Sequence, residues 1–117
     1  MRGDLSRDEP ATAEELTFAI AEAIQTAEEL ALTSVARGDY SQSEIISERL
    51  TPNLMQAKMY AEIAPLGGVD QLSALEIRNG IAEATAVASD LADIDAKYSP
   101  LLSMLRRLRE AVSRHIN

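Results

Sequence analysis

The stretch EIRNGIAEA, residues 76–84, decides how this chain folds. Asn79-Gly80 between apolar residues is the strongest short signal for a β-hairpin. A hairpin needs flanks that alternate apolar and polar residues with period two. These flanks do not alternate. Leu72, Leu75, Asn79, Ala82 and Ala86 recur at spacings of three and four, and so do Ile77, Gly80, Ala84, Val87, Leu91, Ile94 and Tyr98. Both stripes keep phase through the Asn-Gly pair, as one continuous helix requires. Gly80 costs about 1 kcal/mol there relative to Ala. The compensation expected is the close approach of a neighbouring helix.

Working outward, this helix begins near Asp70, a good N-cap, after a PLGG loop at residues 65–68. On the far side the phase continues past Pro100 into Leu101, Leu105, Leu108 and Val112. Ser99-Pro100 has the chemistry of a helix start. The spacing predicts a distinct C-terminal helix that continues nearly along the same axis.

Towards the N-terminus, Thr12 and Glu15 form a capping box, followed by Leu16, Ile20, Ala23, Ala27 and Leu30 at helical spacing. Ile24, Ala31 and Val35 widen that stripe. This first helix is expected to stop at Arg37, with Gly38 in the left-handed position that ends many helices. Ser41 and Glu44 read as a second capping box. Ile45, Ile46, Leu50, Leu54, Ala57, Ala61 and Ala64 then follow helical spacing, interrupted by Thr51-Pro52. Proline is unfavourable inside a helix and tolerated at its first position. A break or kink is therefore expected, with a short helix 41–50 and another over 52–64.

Composition agrees with an all-α chain. Apolar residues make up 46% but aromatics only 3%, so the apolar share is mostly Ala, Leu and Ile. Ala favours helices, whereas strands favour β-branched and aromatic residues. The expected fold is an elongated antiparallel helical bundle of three long helices plus a C-terminal helix. Residues 1–11 read as a disordered polar lead, and residues 12–117 as a single helical domain. Met-Arg-Gly-Asp opens the chain without the apolar run of a secretory leader, and no stretch reaches 18 uninterrupted apolar residues. The chain has no Cys, which excludes disulfides and thiolate–metal sites. A cytoplasmic protein is the expectation.

The formal net charge is −8, and it is uneven. Residues 1–48 hold 11 acids against Arg2, Arg7 and Arg37, while residues 49–117 hold eight of each sign. An acidic chain repels phosphate, so neither nucleic acid nor an anionic membrane is an expected partner. Solubility accounts for such charge, and attraction of a basic partner is the sharper reading.

No constellation of catalytic residues stands out, and no enzyme or cofactor is expected. His115, the single histidine, lies third from the end, where a fraying terminus cannot position a base. Asp90 and Asp93 share a helix face, but Asp95 points elsewhere, and a solvent face explains the acids better than a metal. Arg2-Gly3-Asp4 matches an adhesion tripeptide by chance. Arg106, Arg107, Arg109 and Arg114 complement the dipole of the last helix. Leu101, Leu102, Met104, Leu105 and Leu108 form the richest apolar run. Met55, Met59 and Met104 supply adaptable contacts of the kind that suit a binding surface.

A long first helix ending in ALTSVARGDY, a second carrying Lys58 and a third containing LEIRNGIAEA together resemble the FlgN-type flagellar type III export chaperones. The resemblance spans residues 14–98. It implies a small cytoplasmic chaperone that holds a C-terminal helical segment of a hook–filament junction protein before export. The partner-binding face would then lie along the third helix and its extension, at Ile77, Ala84, Leu91, Leu101, Leu105 and Leu108. The alternatives are a self-associating bundle that pairs its heptad seam with a second copy, and a small regulator that sequesters a signalling protein.

Overall fold

The computed structural model describes residues 13–63 and 71–114. The expected caps at Thr12 and Asp70, the 1–11 lead, the PLGG loop and His115 lie outside them. The described elements are α1 (Ala13–Ala36), α2 (Tyr40–Ile45), a π-helical turn (Ile46–Leu50), α3 (Thr51–Glu62), α4 (Gln71–Ile94), a 3₁₀ turn (Ala96–Tyr98) and α5 (Ser99–Ser113). The chain is an all-α bundle. Its extents are 44 × 31 × 20 Å and its radius of gyration 14.3 Å.

Helix α4 runs unbroken through Asn79-Gly80. Gly80 is buried where α3 crosses α4. A Cβ built on it would lie 2.7 Å from the Asn53 carbonyl oxygen and 3.2 Å from the Ala57 Cβ. The lost helix propensity is thus exchanged for backbone-to-backbone approach between two helices. The core of these two helices is correspondingly rich in small residues, with Ala57 and Ala61 on α3 and Ala74, Ala84 and Ala88 on α4 all buried.

Helix α1 ends as the sequence indicates. Gly38 has φ +84°, the Asp39 N–H donates to the Ser34 carbonyl at 2.7 Å, and the Gly38 N–H donates to the Val35 carbonyl at 3.0 Å. That pair of bonds is a Schellman motif. The next helix starts immediately afterwards at Tyr40, with Asp39 in the N-cap position and no side-chain cap bond. The expected Ser41–Glu44 capping box is therefore corrected. The Schellman turn delivers a chain already in helical register, and Ser41 falls inside the first turn.

Thr51-Pro52 does not break the second helical run. A regular turn would direct the Pro52 ring at the Glu48 carbonyl and lose one hydrogen bond. The chain widens instead. The Thr51 N–H reaches back five residues to the Ile46 carbonyl, and the Asn53 side-chain amide donates to the Arg49 carbonyl at 2.6 Å. The π turn takes up one extra residue and keeps Ile46, Leu50, Thr51 and Leu54 all inward.

The C-terminal helix is distinct, as expected, but it is not collinear with α4. The break falls at Asp95, which is extended at φ −149°, ψ 124°. The Asp95 carboxylate accepts the Lys97 N–H at 3.0 Å and its carbonyl accepts the Tyr98 N–H at 3.2 Å. Ser99-Pro100 then lies in the first turn of α5, where a proline is tolerated. Folding back places the two halves of one phased stripe against each other, so α5 packs along α4 and also meets α1. The four layers close a ring in which α1 packs on α3, α3 on α4, α4 on α5 and α5 on α1.

Candidate functional site

The six residues read as a partner-binding face are all core residues. Ile77, Ala84, Leu91, Leu101, Leu105 and Leu108 are each at most 3% exposed. Folding α5 back on α4 satisfies this stripe within the chain itself. In the folded bundle none of the six side chains is presented to a partner.

The surface leaves a different apolar strip open. Helices α1 and α3 run antiparallel and diverge towards solvent. One groove of about 510 Å³ lies between Glu28, Ala31, Leu32 and Val35 on α1 and Ser43, Ile46, Ser47, Thr51, Pro52 and Met55 on the second run. A second depression of about 300 Å³ continues it past Ala21, Ile24, Lys58 and Glu62, sharing Met55. Leu32 is 71% exposed, Met55 51% and Met59 50%. From Ala21 to Val35 the strip covers about 21 Å at 1.5 Å per residue. The widened π turn and Pro52 form part of its floor and wall. Such bulges recur at functional positions because they re-aim side chains that a regular helix would direct elsewhere.

Electrostatics on the two walls differ. Helix α1 carries Glu14, Glu15, Glu22, Glu28 and Glu29 and no basic residue. On α3, Lys58 and Glu62 pair with each other at 2.8 Å. The second run is mixed, with Glu44, Glu48 and Glu62 against Arg49 and Lys58, so α1 is the more uniformly acidic wall.

The adaptable side chains that the sequence names are Met55, Met59 and Met104, of which Met55 lines the groove. The missed signal is that Leu32 and Met55 fall outside the core stripes yet remain apolar. A second apolar line beside the first marks a surface only once the helix on the other side of it is known.

At one end of the bundle a polar knot ties the two connections together. Tyr98 is fully buried, and its hydroxyl donates to the Gln42 side-chain carbonyl at 2.8 Å. The Ser34 hydroxyl sits 2.7 Å from the same oxygen and donates to it, since the phenolic proton is already committed. The Lys97 ammonium lies 5.3 Å from the centre of the Tyr98 ring, 3.8 Å from Asp95 and 4.0 Å from Asp39. Burial foremost, helped by the Asp95 and Asp39 charges, pushes the Tyr98 phenol up, and the Ser34 hydrogen bond opposes that. A raised phenol stabilises the fold below the ordinary tyrosine pKa, and that contribution fades as pH climbs through the folded value. Tyr98→Phe is expected to cost about 1–2 kcal/mol at neutral pH, because Ser34 and Gln42 lose a shared partner. In denaturant titrations the variant is also expected to lose less stability than the parent above pH 10.

Among the described residues no cluster of acids or histidines is arranged to hold a metal. Asp95 instead serves its own turn. Arg106, Arg107 and Arg109 are exposed on the outer face of α5. No described helix is long and apolar enough to cross a membrane. Comparison with protein-family models, curated proteins and solved structures finds no match.

Proposed function

We propose that this chain is a non-enzymatic protein-binding bundle that receives a helical segment of a partner in the groove between α1 and α3. The observation that carries the reading is the open apolar strip lined by Leu32, Val35 and Met55. Its length suits about four helical turns, and helix-in-groove recognition reads apolar anchors at that spacing. Met55 in its wall adapts to the anchor it meets.

The resemblance of ALTSVARGDY, Lys58 and LEIRNGIAEA to the FlgN-type chaperones supplies the partner class. On that reading the segment held is the C-terminal helix of a flagellar hook–filament junction protein, kept from assembling in the cytoplasm before export. A segment that seeks a coiled-coil partner would otherwise assemble early, and a temporary helical host prevents that.

The test is affinity capture of the tagged protein from its own cells beside the Leu32→Glu/Met55→Glu variant. The expected result is one or two junction proteins that are lost with the variant and lost on deleting their C-terminal segments. Both substituted positions are half-exposed or more, so the variant is expected to keep its helical circular dichroism spectrum. Recovery of the same partners by parent and variant alike would overturn the groove as the site.

A further inference from the structure

We infer that the occupant of the α1/α3 groove is a cationic amphipathic helix whose basic flank lies against α1. This rests on the groove being a helix-binding site and adds the chemistry of what it selects. Across the whole of α1 there are five glutamates and no base. Glu28 lines the groove itself, and Glu22 and Glu29 stand exposed on the outer side of the same helix. The opposite wall is mixed in sign, with Glu44, Glu48 and Glu62 against Arg49 and Lys58, and the Lys58 ammonium is bound to Glu62 at 2.8 Å. An occupant seated on Leu32, Val35 and Met55 therefore meets its more strongly negative flank along α1, where no base offsets the glutamates.

The same charges argue against a second copy of this chain as the occupant. Pairing two grooves face to face would oppose one all-acidic α1 to another. Seating the basic α5 of a second copy would require apolar anchors beside its arginines. That helix has already spent its apolar residues, since Leu101, Leu105, Leu108 and Val112 are buried in its own bundle. Rim charges of this kind govern encounter rate and partner choice more than raw affinity.

The test uses three synthetic 16-residue peptides with one Leu pattern at helical spacing. One carries Lys at the flanking positions, one carries Glu there, and the third has the Lys composition in scrambled order. Binding to the full chain is followed by calorimetry at low and high salt. The Lys peptide is expected to bind at least tenfold more tightly than either control, and to weaken as salt is raised. Glu22→Gln/Glu28→Gln/Glu29→Gln is expected to weaken the Lys peptide about tenfold and to tighten the Glu peptide, since the same charges that attract the first repel the second.

Glu-peptide binding equal to or tighter than Lys-peptide binding, lost with Met55→Glu, would overturn the cationic preference while the groove reading stood. Binding of the Lys and scrambled peptides alike, unchanged by Met55→Glu, would overturn both, because the attraction would then be mere net charge. A dimer in sedimentation that Leu32→Glu converts to monomer would make the second copy the occupant and overturn the inference.

Discussion

Replacing Gly80 with Ala should destabilise the bundle, although Ala is the better helix former. The substitution gains about 1 kcal/mol of helix propensity. It also places a methyl group 2.7 Å from the Asn53 carbonyl oxygen and 3.2 Å from the Ala57 Cβ. The first contact is with backbone, so no rotamer change relieves it, and α3 must move away from α4. Overpacking of this kind costs roughly 1–3 kcal/mol or more. The net expectation is a loss of about 1–2 kcal/mol, read as a fall of several degrees in melting temperature. Gly80→Val should cost more. Asn79→Ala, one residue away on the exposed side, should be neutral or slightly stabilising. A Gly80→Ala variant more stable than the parent would show that α3 and α4 do not approach as closely as described.

The second large effect concerns the stripe first read as a binding face. Leu105→Ala should cost about 2–5 kcal/mol, because the side chain is fully buried and its neighbours can collapse only partly into the space. Leu101→Glu with Leu105→Glu should abolish the cooperative unfolding transition altogether, since two carboxylates would replace apolar groups between α4, α5 and α1. Met55→Glu, at a half-exposed position, should change stability by no more than about 0.5 kcal/mol. The contrast is decisive. If the Leu pair stayed folded and lost only partner binding, the stripe would be a surface after all.

Much of this fold was legible in the sequence. The phase through Asn79-Gly80 fixed α4, and Gly38 fixed the end of α1, because each rests on local backbone chemistry. The direction of α5 was not legible. An unbroken phase is produced equally by one straight helix and by a stripe folded on itself, and the single extended residue at Asp95 decides between them. That choice also moved the candidate site. Leu101, Leu105 and Leu108 are free for a partner if the helices are collinear and are core if they fold back. Proline at residue 52 reads as a break or kink because a widened turn has no signature of its own. It becomes visible only when Ile46, Leu50, Thr51 and Leu54 must all face inward. The groove required knowing which helix stands beside α1, and no local pattern records that.

The methionines offer a direct reading of where a partner sits, because they mark different faces. Met55 lines the groove at half exposure, Met59 is half-exposed one turn further along α3, and Met104 is half-buried on α5. The measurement is a methyl spectrum of protein labelled with ¹³C at the methionine methyls, titrated with the Lys-flanked amphipathic peptide. A saturable shift of the Met55 resonance, with Met104 unmoved, is the expected result. A shift at Met104 with Met55 unmoved would place the partner on the α5 side and contradict the groove between α1 and α3.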